Sequence, residues 1–319
     1  MALSPHPPPL PPSLLDPAVR TAVRRAAEAH RGTPWTCTGF TDLGDLAAHP
    51  CGIFRGHPFP VFAKLSTATD AAARFTAELA GLRLLHDLSG AQVPVPVADR
   101  PIAVPPGAHL LLFEALPERR PGARTPEDWR SIGRALATLH AVSGPAFGRE
   151  TNGYFGPLPQ DNAPVHPNSW ATFYAERRLL PHLRLATDSG HLPATLADRV
   201  TQLIGRLPAL AGPEPRPALL HGDAQQHNFV STPAGAVLVD AAPYFGHPEL
   251  DLALLGYFDP VPRHVFDGYT ELRPIDGGFP ERRELWRLFA YLAVLSAAGG
   301  TSLGRQFLTR LDQAVTSYR

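Results

Sequence analysis

The sequence predicts an α+β protein of two lobes: a small antiparallel sheet with one main helix, followed by a larger and mostly helical part. Three observations lead to this fold class. Residues 36–64 combine Gly, Pro and turn residues with short apolar runs, which is typical of antiparallel strands. Residues 71–88 repeat apolar side chains at helical spacing, and helical patterns dominate beyond Pro117. We therefore predict an N-terminal lobe over 17–116 and a C-terminal lobe over 117–319.

The first 16 residues are predicted to be a disordered tail, because residues 4–13 read SPHPPPLPPS and suit only an extended, solvated chain. They lack the basic start and the apolar segment of a signal peptide. The longest uncharged stretch, 288–304, contains two adjacent glycines and is short for a bilayer span. Lys plus Arg equals Asp plus Glu, 29 each, so charge favours neither nucleic acid nor a membrane as partner. We expect a cytoplasmic monomer.

Local patterns predict the elements of the N-terminal lobe. Residues 18–31 form an amphipathic, Arg-rich helix. The helix over 71–88 is capped by Thr69–Asp70 and ends before Gly90, and its buried stripe comprises Phe75, Leu79, Leu82 and Leu85. Residues 109–116 are an apolar run that predicts a buried strand.

Helices dominate the prediction for the C-terminal lobe. Thr125 caps a helix, with Pro126 in its first position and Asp128 three residues after the cap. The apolar face of this helix ends at His140, which we interpret as a packed residue rather than a catalytic one. Further helices are predicted over 168–185, 192–211, 248–258 and 281–298.

A polar loop in segment 219–240 carries oxygen ligands at the spacing found in kinases. Asp223 follows His-Gly, Asn228 comes five residues later, and Asp240 ends an apolar run. A kinase needs one carboxylate near the incoming hydroxyl, and an amide and a second carboxylate to hold magnesium. Two short flanking strands would bring all three side chains together. A hairpin with a polar turn is the alternative, but it does not explain why the three features coincide.

Lys64 is the only lysine of the chain, which has 29 Lys plus Arg. It ends an apolar run, like the strand lysine of protein kinases that reaches the nucleotide phosphates. Because the planar fork of arginine would not fit the same slot, the retained lysine favours phosphate binding over a chance surface position. Glu78 lies beside the buried stripe of the 71–88 helix. It either turns inward to pair with Lys64 or is a solvated residue on the helix flank.

Other signals for a nucleotide site are weaker. Gly39 and Gly44 could lie over the phosphates, although GFTDLGDL is not a G-x-G-x-x-G loop. In a kinase layout, the strand over 109–116 leads to the hinge, where backbone groups of Glu114 and Leu116 would bind the adenine edge.

The two cysteines, Cys37 and Cys51, match neither a disulfide framework nor, with His49 and His57, a compact zinc motif. We interpret both as ordinary thiols, and a redox-sensitive pair is the alternative.

Three further segments carry a family resemblance. Residues 152–162, NGYFGPLPQDN, are similar to the pattern N-x-I-G-x-x-x-Q-x-N, and residues 169–179, SWATFYAERRL, to W-x-x-F-x-x-x-R-L. Residues 240–251, DAAPYFGHPELD, are similar to D-P-A-x-Y-Y-G-H-R-E-x-D. Over residues 33–300, the chain resembles the fructosamine kinase family. This family is a branch of the aminoglycoside phosphotransferase and choline kinase group, with a protein-kinase-like fold.

The resemblance implies a role for each matching residue. Asp223 would orient or deprotonate the acceptor hydroxyl, and Asn228 and Asp240 would hold Mg²⁺ on the phosphates of ATP. Lys64 would bind the nucleotide phosphates, braced by Glu78. The implied reaction transfers the γ-phosphoryl group to a sugar hydroxyl of a ketosamine, such as a fructosamine or ribulosamine, in protein deglycation.

Departures from the family pattern affect the acceptor side. The usual H-G-D-L-W-S-G-N reads H-G-D-A-Q-Q-H-N here, so Gln225 replaces a tryptophan and His227 a glycine, while D-P-A becomes D-A-A. Candidate acceptor contacts are Gln225, His227 and Tyr244. Asp251 is expected to brace the catalytic loop from the following helix rather than to touch substrate.

Three functions stay open. The chain is a ketosamine kinase, a phosphotransferase for an aminoglycoside or another hydroxylated metabolite, or a non-catalytic nucleotide-binding relative. The intact Lys-Glu and Asp-Asn-Asp sets argue against the third. A strongly acidic acceptor cleft would favour a polycationic antibiotic as acceptor. Protein kinase activity is not expected, because no D-F-G and A-P-E pair bounds an activation segment.

Overall fold

The computed structural model describes residues 13–44, 49–119 and 121–318. Residues 1–12 of the predicted disordered tail therefore lie outside the described residues. For residues 13–16 the prediction of disorder is wrong, because Leu14 is buried in the hydrophobic core and Asp16 N–H donates to the Ser13 carbonyl. Internal contacts divide the chain into two units. Unit 1 contains the residues up to Leu79 together with Pro94–Leu116, and unit 2 contains Ala80–Val93 together with the residues from Pro117 onwards.

Unit 1 consists of a helix followed by strands. Its elements are α1 (Pro17–Arg31), β1 (Thr36–Asp42), β2 (Cys51–His57), β3 (Val61–Ser66), the first part of α2 (Ala71–Ser89), β4 (Ile102–Val104) and β5 (Ala108–Glu114). The helices predicted over 18–31 and 71–88 and the strand over 109–116 are confirmed. Gly90 ends α2 with a φ of 71°, a left-handed conformation that glycine adopts without strain.

The described strands of unit 1 form one five-stranded antiparallel sheet in the order β1-β2-β3-β5-β4. Lys64 lies on the central strand β3, opposite Cys51 of β2 and Leu111 of β5. Helix α1 belongs to the same core, to which it contributes Val19, Val23 and Ala27. Because β3 is paired on both sides, the backbone that carries Lys64 is held rigidly.

Unit 2 is mostly helical, as predicted for the C-terminal lobe. Its helices after α2 are α3 (Pro126–His140), α4 (Trp170–Phe173), a π-helical turn (Tyr174–Leu179), α5 (Leu180–Asp188), α6 (Ala194–Gly205), α7 (Leu207–Leu210), α8 (Pro248–Leu254), α9 (His264–Thr270), α10 (Phe279–Ala298) and α11 (Ser302–Ser317). Its strands are β6 (Gly153–Phe155), β7 (Leu158–Gln160), β8 (Ala218–Leu219), β9 (Phe229–Thr232), β10 (Gly235–Leu238) and β11 (Phe245–Gly246).

Most predicted helices of unit 2 exist, with different ends. Thr125 caps α3 in the predicted capping box with Asp128. The helix predicted over 168–185 contains a π-helical turn, and the one over 192–211 is divided at Arg206. No helix among the described residues is both long and apolar enough to cross a bilayer.

Packing in unit 2 positions the strands around residues 218–246. Helix α3 packs against α9 and β10, and α10 packs against α8, α11 and α5. β8 pairs with β11, and β9 pairs with β10 in a tight hairpin. The polar loop that carries Asp223 and Asn228 therefore leaves one buried strand, β8, and enters another, β9.

Candidate active site

In unit 1, Lys64 and Glu78 form the predicted ion pair. Lys64 Nζ lies 2.8 Å from Glu78 Oε1, and the two side chains are 12% and 15% exposed. Because desolvation offsets much of the attraction in such a pair, it contributes little net stability. Its effect is to fix an ammonium group at the end of a long flexible side chain, which a phosphate-binding lysine requires.

The other residues predicted for the nucleotide lie at two ends of the same sheet. Gly39 lies in β1 beside a β-bulge, and a Cβ there would meet the Arg55 guanidinium at 2.8 Å. Gly44 follows β1 and donates its N–H to Asp42 Oδ1 at 2.9 Å. Glu114 ends β5, and Leu116 follows it, half-buried. The nucleotide contacts of these four residues stay predictions.

In unit 2, the catalytic loop begins with an obligatory glycine. Gly222 has a φ of 83°, and a Cβ at this position would lie 2.0 Å from the Ala242 carbonyl oxygen. Leu220 N–H donates to the Tyr244 carbonyl, and Ala242 N–H donates to the His221 carbonyl, both at 2.9 Å. The close approach of these two backbones positions the segment after Asp240 against the loop that carries Asp223.

His221 connects the two segments through its side chain. Asp223 N–H donates to its Nδ1 at 3.3 Å, and its Nε2 donates to the Val239 carbonyl at 3.1 Å. Burial lowers the pKa of His221, so the neutral imidazole can accept at Nδ1 and donate at Nε2. The imidazole ring of His221 thus holds the backbone of Asp223 and the backbone of Val239, the residue before Asp240.

Asp251 braces the catalytic loop from α8, as predicted. Its Oδ2 accepts the N–H of His221 at 2.7 Å, and its Oδ1 accepts the N–H of Gly222 at 3.1 Å. His140 Nε2 lies 3.2 Å from the same Oδ2, and His140 Nδ1 lies 2.9 Å from the Tyr269 hydroxyl. His140 is therefore packed at the helix end, as predicted, and it also orients the Asp251 carboxylate.

Asp223 has the electrostatics of a general base. Burial, then the charges of Asp240 and Asp251, raise its pKa from 3.8 to about 7. Its Oδ1 is buried without a hydrogen-bond partner, although the residue as a whole is partly exposed. A carboxyl whose pKa lies near neutrality and whose oxygen has no partner is suited to accept a proton from a hydroxyl.

Asn228 and Asp240 offer oxygen ligands to a cation. Asn228 Nδ2 donates to the Asp223 carbonyl at 2.8 Å, which leaves Oδ1 as the atom for a metal. Asp240 is exposed and has a φ of 54°, a left-handed conformation uncommon outside glycine and often found at functional sites. Mg²⁺ is usually bound by one or two carboxylates together with substrate phosphates, so this donor set fits it.

Arg124 supports the loop that carries Asn228, and no sequence pattern predicted this role. It donates to Ser231 Oγ and to the Gln226 carbonyl, each at 3.0 Å, and to the Phe229 carbonyl. Burial lowers its pKa to about 10, so it remains charged near neutral pH. Because these contacts join residues about 100 positions apart and two of them are made to backbone carbonyls, no local sequence pattern reveals them.

The candidate acceptor contacts divide into accessible and buried residues. Gln225 is half-buried and His227 is exposed, so both can reach a ligand. Tyr244 cannot: its side chain is 0% exposed and the Arg178 guanidinium lies 4.0 Å over its ring. The prediction that Tyr244 contacts the acceptor is therefore wrong, because packing places it in the core behind the loop.

Arg178 brings the three motif segments of the sequence together. Its Nη2 donates to Asn162 Oδ1 at 2.7 Å, which also accepts from Gln160 Nε2 at 3.2 Å. With the Tyr244 ring against its guanidinium, this fully buried arginine joins segments 152–162, 169–179 and 240–251. Asn162, Arg178 and Tyr244, one residue from each motif segment, thus support the loop from the core.

The chain is similar in sequence and in structure to kinases of the fructosamine and ketoamine type. The sequence profile of the fructosamine kinase family matches residues 19–314. A probable ketoamine kinase of Synechocystis, slr1563, is 33% identical over 231 residues, 71% of this chain and 74% of the relative. The crystal structure of a putative fructosamine-3-kinase from Thermobifida fusca is 30% identical with a TM-score of 0.76, over 92% of this chain and 99% of that one.

A more distant structure shares the fold. A thermostable mutant of aminoglycoside phosphotransferase APH(4)-Ia is 14% identical with a TM-score of 0.60, over 93% of this chain and 98% of that one. Since the family profile covers nearly all of the described residues and includes the Lys-Glu and Asp-Asn-Asp sets, the chain belongs to the fructosamine kinase family of ATP-dependent phosphotransferases.

Proposed function

We propose that this protein transfers the γ-phosphoryl group of ATP to a sugar hydroxyl of a ketosamine, with Asp223 as the catalytic base. The observation that carries the proposal is the state of Asp223. It has a pKa of about 7, a partnerless buried Oδ1 and a backbone fixed by His221 and Asn228. The ketosamine as acceptor is supported by family membership and by the similarity to a probable ketoamine kinase of Synechocystis.

The roles of the chain's residues follow from their geometry. Asp223 accepts a hydrogen bond from the acceptor hydroxyl and takes its proton as the oxygen attacks the γ-phosphorus. The bond from the γ-phosphorus to the bridging oxygen of ADP breaks as the new P–O bond forms. Lys64, oriented by Glu78, neutralises phosphate charge, so that positioning and charge neutralisation supply most of the rate.

Magnesium is part of the proposal. Asn228 Oδ1 and the Asp240 carboxylate would hold Mg²⁺, which supplies charge neutralisation on the phosphates when bound with the nucleotide. The left-handed backbone of Asp240 and the amide orientation of Asn228 support this role. Arg124 keeps the Asn228 loop in place through its bonds to two flanking carbonyls.

A second acceptor class is favoured by one observation. Gln225 and His227, which replace the family's tryptophan and glycine, are accessible side chains of the catalytic loop. The APH(4)-Ia structure is a ternary complex with ADP and hygromycin B, so this fold also accommodates an aminoglycoside. The alternative is therefore a phosphotransferase for an aminoglycoside or another hydroxylated metabolite.

One experiment separates the candidates. Magnesium-dependent ADP release is measured across fructosyl-amines, ribulosyl-amines, aminoglycosides and choline, with product mass as confirmation and Asp223→Asn as blank. Transfer to the glycated amines alone supports the ketosamine kinase and a deglycating role. Transfer only to aminoglycosides or choline contradicts it, and ADP binding with inert glycated amines favours a different hydroxylated metabolite as acceptor.

A further inference from the structure

The end of α1 holds the end of β5 through one carboxylate. Glu114 Oε1 lies 2.8 Å from His30 Nε2 and also accepts from Arg31 Nη2. The side chains of His30 and Glu114 are 20% and 22% exposed, so this contact is shielded from solvent more than an ordinary surface pair. Two donors from consecutive residues of one helix thus converge on a single acceptor oxygen.

The same helix end also touches the start of β3. The Arg31 guanidinium lies 5.4 Å over the Phe59 ring, and the His30 ring meets Phe59 edge-on at 5.6 Å. The Phe59 carbonyl accepts from Trp35 Nε1 at 2.8 Å, and the next carbonyl, of Pro60, accepts from Ala115 N–H at 2.9 Å. Helix α1 therefore fixes the residues just before the strand that carries Lys64.

We propose that His30 and Arg31 are positioning residues that orient the backbone at Glu114 and Leu116 for the nucleotide base. The proposal rests on the nucleotide-binding part of the proposed function. Helix α1 holds the Glu114 side chain, and the backbone N–H of Glu114 donates to the Val95 carbonyl at 2.9 Å. The orientation of the Glu114 backbone is therefore fixed from two sides. A carbonyl held in one direction accepts the exocyclic amino group of adenine and repels the O6 of guanine.

The ion pair itself is worth little as a stabiliser, which makes a positioning effect measurable apart from folding. A partly exposed ion pair contributes little to the free energy of unfolding, because solvent screens its charges. Arg31 is 51% exposed, so its replacement leaves no cavity and no buried charge without water. Variants at this contact should therefore fold.

The test compares Arg31→Ala, Glu114→Gln and the double variant with Arg24→Ala, an exposed arginine of the same helix, as control. The dissociation constant of Mg-ADP is measured by calorimetry, and kcat/KM is measured with ATP and with GTP. We expect each single variant to weaken ADP binding about two- to fivefold and to lower the preference for ATP over GTP by a similar factor. The double variant should be no weaker than the worse single variant, because both remove one contact.

Several outcomes would overturn the inference. Unchanged ADP affinity in the single variants, whatever their Tm, would mean that the contact only supports the fold. The losses of ADP affinity in the two single variants could multiply in the double variant, or Arg24→Ala could lose as much affinity as they do. Either result would mean that the Arg31–Glu114 pair has no specific effect. If the wild-type protein bound no ADP, both the proposed function and this inference would fail. If the wild-type protein binds ADP and the variants bind it equally well, only this inference fails.

Discussion

His140 and Asp251 are joined in the interior of unit 2, with His140 Nε2 3.2 Å from Asp251 Oδ2 and both side chains 0% exposed. The same carboxylate accepts the backbone N–H groups of His221 and Gly222, so it connects the end of α3 to the catalytic loop. Three donors, two of them backbone N–H groups, thus converge on this deeply buried carboxylate. The loop geometry therefore depends on a fully buried side chain.

Replacing His140 should loosen the catalytic loop. His140→Leu removes one of the three donors to Asp251, and we expect kcat to fall about 10- to 100-fold, the cost of losing a hydrogen bond to a buried charge. The KM for ATP should change much less. Steady-state kinetics and thermal unfolding are the measurements, with His166→Leu, an exposed histidine of unit 2, as control. A variant with the kcat of the wild type would show that the brace does not need this histidine.

Asp223→Asn should separate binding from transfer. The amide keeps the size of the side chain but cannot accept the acceptor proton, so we expect transfer to fall by about three orders of magnitude or more. Mg-ADP should bind with near-normal affinity. Product formation and calorimetry measure the two effects, and Asp188→Asn, at an exposed aspartate, is the control. Full activity in Asp223→Asn would refute its assignment as the base.

The same substitution should stabilise the free protein at high pH. The pKa of Asp223 is raised from 3.8 to about 7, so the folded state binds the proton more tightly than the unfolded chain. The resulting stability is complete below about pH 4 and is lost as pH rises through about 7. Asp223→Asn should therefore raise Tm by roughly 3–6 °C at pH 8 and hardly at pH 4. Equal Tm values of the two proteins at pH 8 would contradict the raised pKa.

Lys64→Arg tests whether charge alone is sufficient. The slot beside Glu78 is shaped by paired strands and by α2, and the Lys64 side chain is only 12% exposed. The broader guanidinium should be displaced, so we expect kcat/KM for ATP to fall about tenfold or more. Arg24→Lys, the reverse change at an exposed arginine of α1, should leave the rate unchanged. An unimpaired Lys64→Arg enzyme would show that any cation suits this position.

Gln225→Trp tests how the loop selects its acceptor. Restoring the family's tryptophan at this half-buried position adds an aromatic surface beside Asp223. For a ketosamine kinase we expect kcat/KM for ketosamines to rise about three- to tenfold relative to other acceptors, the size of one aromatic contact. The acceptor panel measures the ratio. An equal fall for every acceptor would mean that the ring merely blocks the loop.

Much of the site could be predicted because it depends on local spacing. A helix has a fixed period, so the position of Glu78 beside the apolar stripe of α2 indicated that it could face Lys64, and the two side chains are in contact. The predicted brace by Asp251 is likewise confirmed. The predicted acceptor contact of Tyr244 failed because a motif position reveals nothing about burial.

The sequence by itself determined the fold class, the residues of the catalytic loop and the identity of the Lys64–Glu78 pair, since strand and helix periodicities are properties of neighbouring residues. Only the tertiary structure decided that Arg124 holds two carbonyls of the loop, that His140 reaches Asp251 and that Arg178 stacks on Tyr244. It also decided the pKa of Asp223, because desolvation and the charges of Asp240 and Asp251 act through space. These interactions join residues far apart in the chain, and only the packed fold brings them within contact distance.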